Sequence, residues 1–189
     1  MRTPNEILNI LKRGDLIFFT SKNYIAKIIQ WATSSAINHV GIYLGDELIL
    51  ESQNDTGVSI REIQYYFNRE GEVIQIGRVQ NISEQDLEDI VLFASENTGK
   101  RYDFFGLLGI FLKHIVKKLK LHRIITFYGE NKINEQSSFW CSEFVGYVFL
   151  TKGIRFADHD ISYLTPSEIF NSPIIKKIEE NHANISNRN

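Results

Sequence analysis

The sequence is poor in cysteine, since Cys141 is the single one among its 189 residues. A lone cysteine cannot form an intramolecular disulfide and cannot build a cysteine-based zinc site. Cys141 is therefore either an inert buried thiol, which is the common state of a free cysteine, or a functional group. Composition alone leaves this choice open.

Long apolar runs and an excess of one charge are also missing. No stretch reaches the roughly 18 apolar residues that a membrane-spanning helix needs. Residues 1–13 lack the continuous apolar region of a secretory signal, so we expect a cytoplasmic location by default, or an exported one if a leader has been removed. The net charge of −2 gives no support to nucleic acid as a partner.

What is present is typical of one folded domain. Hydrophobic residues make up 43% and charged residues 23% of the chain, which is ordinary for a globular protein. We place the domain at residues 1–178, with residues 104–138 as an insertion and residues 179–189 as a polar tail.

Hydrophobic periodicity predicts an α+β fold. Five short segments have the apolar run or the alternation of a strand, at residues 16–19, 39–44, 48–51, 58–60 and 73–79. Helical spacing of apolar residues occurs at 4–12, 25–32, 83–97 and 140–150, and Thr-Pro-Ser-Glu at 165–168 is typical of a helix start. Residues 52–57 are interpreted as a loop. The strands together predict a small antiparallel sheet.

Two residues occupy positions that favour nucleophilic catalysis. Cys141 lies at the N-terminus of a predicted helix, and the positive end of the helix dipole favours a thiolate there. Of the five histidines, His39 alone opens a strand with apolar neighbours. Burying an imidazole there costs free energy unless the ring is hydrogen-bonded, so the position needs either a structural or a functional explanation. His39 is either the base that activates Cys141 or a hydrogen-bonded structural residue.

A third polar group follows from the geometry of the hairpin at residues 39–51. If residues 45–47 form a three-residue loop, Gly41 lies opposite Glu51, and His39 and Glu51 are diagonal neighbours on one face, roughly 7–8 Å apart at the backbone. A two-residue loop would put them on opposite faces. Glu51 therefore either orients the imidazole or is an exposed carboxylate at a strand end.

Four blocks of the sequence carry a family resemblance. They are Gly-Asp-Leu-Ile-Phe-Phe at 14–19, Asn-His-Val-Gly-Ile-Tyr at 38–43, Glu51, and Trp-Cys-Ser-Glu-Phe-Val at 140–145. Together they resemble the NlpC/P60 superfamily, and within it the circularly permuted, papain-like branch. That branch includes the YiiX/YebB-like proteins and the lecithin:retinol acyltransferase-like enzymes. The histidine block precedes the cysteine block, which is the permuted order.

The resemblance implies roles for individual residues. It makes Cys141 the nucleophile, His39 the base and Glu51 the third polar residue. Gly-Lys-Arg-Tyr-Asp at 99–103 resembles a family stretch whose tyrosine helps to stabilise the oxyanion, so Tyr102 is an oxyanion or substrate candidate. Thr-Pro-Ser at 165–167 resembles a C-terminal feature of the YiiX-like group. The implied fold is a small antiparallel sheet with the nucleophile helix packed against it, in permuted papain-like topology.

The expected function is a cysteine-dependent hydrolase that acts by acyl transfer on an amide bond, as a peptidase or amidase, with a cell-wall peptide as one substrate class. One alternative is a lipid acyl hydrolase or acyltransferase at a membrane surface, because residues 104–123 are first apolar and then basic, a pattern that fits peripheral membrane contact. The other is a non-catalytic binding module. No cofactor or metal is expected, since no His/Asp/Glu ligands cluster in the sequence. The sequence does not identify the substrate or the oligomeric state.

Overall fold

A computed structural model describes residues 3–21, 27, 30–31, 33–68, 73–102 and 139–178. The strands in these ranges are β1 (Leu16–Thr20), β2 (His39–Gly45), β3 (Leu48–Gln53), β4 (Gly57–Glu62), β5 (Val73–Val79) and β6 (Ile175–Lys177). The helices are α1 (Pro4–Ile10), α2 (Gln64–Phe67), α3 (Glu84–Glu96), α4 (Cys141–Leu150) and α5 (Pro166–Asn171), with a 3-10 turn at Ile161–Tyr163.

The six strands form one sheet in the order β4-β3-β2-β1-β5-β6. Every neighbouring pair in it is antiparallel. The α+β fold with a small antiparallel sheet is thereby confirmed. The predicted helix at 83–97 is α3, whose first turn is capped by the Ser83 hydroxyl, which accepts from the Asp86 amide at 3.0 Å.

The sheet is covered on both faces. Leu16 and Phe18 of β1 lie in a large core cluster with residues of α3 and α4. Ile17 and Phe19 point the other way, into a smaller cluster that includes Ile7 of α1 and a tyrosine of α2. Because alternate side chains enter two cores, β1 is apolar throughout rather than at every second position.

The β2–β3 hairpin has the predicted register but not the predicted loop. The turn is a two-residue one, in which Asp46 and Glu47 have φ values of 48° and 62°, as a type I′ turn requires. A bulge between Tyr43 and Gly45 places one extra residue in β2, so Gly41 still pairs with Glu51. The expectation that a two-residue turn puts the histidine and the glutamate on opposite faces is wrong, because the bulge corrects the parity.

Other sequence predictions need boundary corrections. The interpretation of residues 52–57 as a loop is wrong at both ends, because Ser52 and Gln53 continue β3 and Gly57 begins β4. Strand β6 and the single turn α2 were not predicted. The predicted insertion at 104–138 and the tail at 179–189 lie outside the described residues, as does most of the predicted helix at 25–32.

Candidate active site

The start of β2 is fixed by a buried asparagine. Asn38 is 3% exposed, and its side-chain oxygen accepts from the Ser21 amide at 3.3 Å while its nitrogen donates to the Ser21 carbonyl at 3.0 Å. Its own amide donates to the carbonyl of Phe19 at 3.0 Å. These bonds tie the segment before His39 to the end of β1, so the first residue of β2 has a defined position.

His39 and Glu51 meet on one face of the sheet. The pairing of Gly41 with Glu51 makes them diagonal neighbours, and His39 Nε2 lies 2.7 Å from Glu51 Oε2. The Glu51 side chain is fully buried and that of His39 is 13% exposed. Of the two sequence interpretations of Glu51, the exposed carboxylate at a strand end is therefore excluded.

Cys141 is the first residue of α4 and is 2% exposed. Two buried hydroxyl groups hold the chain on either side of it. Ser52 of β3 donates to the carbonyl of Phe139 at 2.5 Å, and Ser142 donates to the carbonyl of Leu164 at 2.6 Å. Helix α4 packs on the sheet through its contacts with β2 and β3. The predicted packing of this helix against the sheet is confirmed.

Cys141 and His39 come together at one end of the sheet. Cys141 belongs to the large core cluster, whereas His39 lies on the opposite face, with its ring 5.5 Å from that of Phe19. Since His39 is the terminal residue of its strand, its side chain can reach the helix start, where its interaction with the Cys141 side chain raises the pKa of the imidazole. Glu51 occupies Nε2, so Nδ1 is the ring nitrogen left to face the thiol.

The contacts of His39 decide its charge. Burial lowers the pKa of His39, but hydrogen bonds with Cys141 and Glu51, together with the charges of these two groups, outweigh burial and raise the pKa from 6.5 to about 10. Burial raises the pKa of Glu51, yet His39 and Tyr66 lower it more, so the net pKa lies below its ordinary value of 4.5. At neutral pH the pair is an imidazolium and a carboxylate.

Three residues around Glu51 were missed by sequence reasoning. The Tyr66 hydroxyl of α2 lies 2.7 Å from Glu51 Oε1 and 2.6 Å from Oε2. Arg61 Nε of β4 donates to Glu51 Oε1 at 3.1 Å. The amide nitrogen of Gln53 lies 2.5 Å from the Tyr66 hydroxyl and 3.2 Å from His39 Nε2. Arg61 lies on the face of Glu51 because Ser59 pairs with Glu51 and alternate residues of β4 share a face. The predicted strand ended at residue 60 and did not include Arg61.

Tyr102 lies near the segment that leads into the cysteine helix. It is partly buried and packs against the core cluster that contains Cys141. The carbonyl of the preceding residue, Arg101, accepts from the Phe139 amide at 2.9 Å. The chain around Tyr102 is thus bonded to the segment that leads into α4, and its oxyanion role remains a prediction.

Among the described residues, no other histidine and no metal-binding group belongs to the site of Cys141, His39 and Glu51. His159 lies on the surface, where Nε2 is 3.1 Å from Glu168 Oε1; His114, His122 and His182 lie outside the described ranges. Within those ranges, no three His, Cys, Asp or Glu side chains form a group that could hold a metal ion. No described helix is both long and apolar enough to cross a membrane.

Comparison with known proteins gives one family. Residues 10–106, just over half of the chain, match the model of the permuted papain-like amidase enzymes of the YaeF/YiiX (C92) family. A curated protein named "Probable lipoprotein peptidase YaeF", from Escherichia coli (strain K12), is 22% identical over 178 residues. The match covers 87% of this chain and 64% of YaeF, so the chain spans less than two thirds of that relative.

A solved structure has the same fold. The crystal structure described as metalloprotein YiiX from Escherichia coli O157:H7 superimposes with a TM-score of 0.65 at 18% identity. The match covers 89% of this chain and 97% of that chain. At this identity the similarity establishes the fold, and the chemistry must be argued from the site.

Proposed function

The chain belongs to the permuted papain-like amidase family, and from this premise we propose that it is a cysteine-dependent amide hydrolase. The observation that carries the proposal is that His39 bonds the buried Glu51 at 2.7 Å and also interacts with the side chain of Cys141, at the start of α4. A nucleophile, a base and a group that orients the base are the minimum set for acyl transfer through a covalent intermediate.

In the proposed reaction the Cys141 thiolate attacks the carbonyl carbon of an amide. A carbon–sulfur bond forms, and the electrons of the carbonyl double bond move to oxygen. The backbone N–H of Cys141 donates to this oxyanion, because the first amides of a helix have no partner within the helix. Tyr102 is the proposed second donor.

The intermediate then loses the amine. The carbon–nitrogen bond breaks, and the imidazolium of His39 gives its Nδ1 proton to the leaving nitrogen. A thioester of Cys141 remains. Neutral His39 next takes a proton from water, the hydroxide displaces the thiolate, and a carboxylic acid leaves. Glu51 holds Nε2–H throughout and stabilises each imidazolium.

The substrate class rests on the relatives. YaeF is named as a peptidase, which supports an amide bond over a lipid ester for this chain. Residues 104–123, on which the lipid alternative depended, lie outside the described ranges. YiiX is described as a metalloprotein, but the described donor set here does not fit a metal ion, so no step is assigned to one.

The first experiment is the pH dependence of Cys141 alkylation by iodoacetamide. The chain has one cysteine, so the label reports on one atom, and only 2% of Cys141 is exposed, so the probe must be small. We expect rapid labelling well below the ordinary thiol range of about pH 8.5, and its loss in His39→Ala. His159→Ala removes an exposed histidine and is the matched control.

Three outcomes separate the alternatives. Fast labelling at acidic pH, together with a mass increase equal to the acyl group when a peptide anilide is added to unlabelled protein, supports the amide hydrolase. Fast labelling with a covalent acyl adduct only from phospholipid vesicles would replace it with the lipid enzyme. Labelling only near pH 8.5 or after denaturation would refute catalysis by Cys141 and favour the binding module.

A further inference from the structure

The carboxylate of Glu51 accepts hydrogen bonds from three elements besides its own strand. His39 reaches it from β2, Arg61 from β4 and Tyr66 from α2. The charged and titratable groups that face it are therefore an imidazole, a guanidinium and a phenol. The guanidinium also lies 3.8 Å from the exposed Asp55 and 4.2 Å from the centre of the Tyr65 ring.

The direction of the Tyr66 hydrogen bond is determined by its neighbours. The Gln53 amide can only donate its N–H to the phenol oxygen, at 2.5 Å. The hydroxyl hydrogen is then free to point at Glu51, where both carboxylate oxygens lie within 2.7 Å. Since Nε2–H of His39 is directed at Glu51, the nearby Gln53 nitrogen donates to Tyr66 rather than to the imidazole.

Tyr66 is built into the core around this contact. It is 2% exposed, and its ring lies 4.0 Å from that of Phe19, which also packs on His39. Burial, followed by the negative charge of Glu51, raises the pKa of Tyr66 above its ordinary value of 10. The phenol therefore stays a hydrogen donor over the whole pH range in which an enzyme of this kind would work.

We propose that Tyr66 is a positioning residue of the reaction, acting through Glu51, and that the relay from Gln53 through Tyr66 to Glu51 fixes the carboxylate against Nε2 of His39. This inference rests on the proposed function. A carboxylate bonded only by His39 can rotate, whereas one that also accepts from Tyr66 and Arg61 has one orientation. A fixed carboxylate keeps the imidazole plane, and with it Nδ1, directed at Cys141.

The test is Tyr66→Phe, which removes the hydroxyl and keeps the ring. We expect the alkylation rate of Cys141 at about pH 6 to fall roughly tenfold, and the labelling profile to move up by about one pH unit, as expected for the loss of one charge-assisted hydrogen bond. Tyr65→Phe makes the same change at the adjacent, 40% exposed residue and should leave the profile unchanged. Circular dichroism verifies that each variant is folded.

A double variant tests the route through Glu51. If Tyr66 acts on the thiol only by holding Glu51, Glu51→Gln with Tyr66→Phe should label at the rate of Glu51→Gln alone. Additive losses would instead show a general effect on packing and overturn the inference, as would a folded Tyr66→Phe with the wild-type profile. In both of those cases the wild type still labels at low pH, so the proposed function survives. Slow labelling of the wild type itself would remove both.

Discussion

Replacing Glu51 by glutamine tests the electrostatics of the site most directly. The two side chains have nearly the same shape, so the change removes one negative charge and little packing. In the wild type that charge lies between His39 and Arg61 and accepts from the Tyr66 hydroxyl, at distances from 2.6 to 3.1 Å. A glutamine at this position leaves two cationic groups beside a buried neutral amide. The surrounding side chains offer no acceptor for one of the two hydrogens on the amide nitrogen.

The structure gives the expected loss of unfolding free energy in Glu51→Gln. Removing one partner of a buried ion pair costs about 3–5 kcal/mol, because the remaining charge is uncompensated. Arg61 is 19% exposed and His39 13%, so water can solvate the remaining cations in part. We therefore expect the free energy of unfolding to fall by about 3 kcal/mol at neutral pH, the lower end of that range.

The sign of the pH dependence also follows. The pKa of Glu51 is lowered by folding, below 4.5, so its contribution to stability is fully present above the unfolded value and is lost as pH falls through the folded one. The difference in unfolding free energy between the wild type and Glu51→Gln should therefore be at its full value from about pH 5 to neutral pH and narrow at lower pH.

Urea unfolding followed by circular dichroism measures both the loss in unfolding free energy and its change with pH. Glu62→Gln, at an exposed position of β4, is the matched control and should change stability by less than about 0.5 kcal/mol. Equal stability of Glu51→Gln and Glu62→Gln at neutral pH would refute a buried, charged Glu51 paired with His39 and Arg61. So would a difference in unfolding free energy from the wild type that does not narrow in acid.

Two further predictions concern His39 and the start of β4. Folding raises the pKa of His39 from 6.5 to about 10. The difference in unfolding free energy between the wild type and His39→Gln should therefore be fully present below pH 6.5 and decline towards pH 10. A difference that stays constant with pH in urea titrations would refute an imidazolium in the folded protein. Gly57 has φ of +68° and an added Cβ would lie 2.1 Å from the Lys100 carbonyl oxygen, whereas Gly99 has φ of +89° and open space. Gly57→Ala should therefore cost at least twice the roughly 1 kcal/mol expected for Gly99→Ala, and equal thermal unfolding temperatures would contradict the close approach.

Local patterns predicted the parts of the fold that depend on local causes. Alternation marked β2 because Val40 and Ile42 enter one core while Gly41 and Tyr43 face the other side. Local hydrophobic patterns also predicted that His39 lies at the start of a strand and Cys141 at the start of a helix. Their pairing was inferred from the family resemblance, since just over a hundred residues separate them.

The groups around Glu51 could not be predicted in this way. Tyr66 reaches the carboxylate from α2, a single helical turn that is too short to have an apolar stripe from which it could be predicted. Arg61 reaches it across the β3–β4 pair, so its position depends on a second register that nothing in the sequence specified. Gln53 lies in the stretch at 52–57 that is interpreted as a loop because it lacks periodicity, although β3 continues to that residue.

The bulge in β2 restricts how this hairpin can vary in length among relatives. If β2 and β3 paired regularly from the two-residue turn onwards, without the bulge, Ile42 rather than Gly41 would lie opposite Glu51, and Leu50 would take the place of Glu51 on the face of His39. While the bulge stays in place, deleting a single residue elsewhere in either strand is therefore more damaging than losing a residue pair. Alignments of this family should show hairpin lengths that change by even steps, or odd steps accompanied by the gain or loss of a bulge.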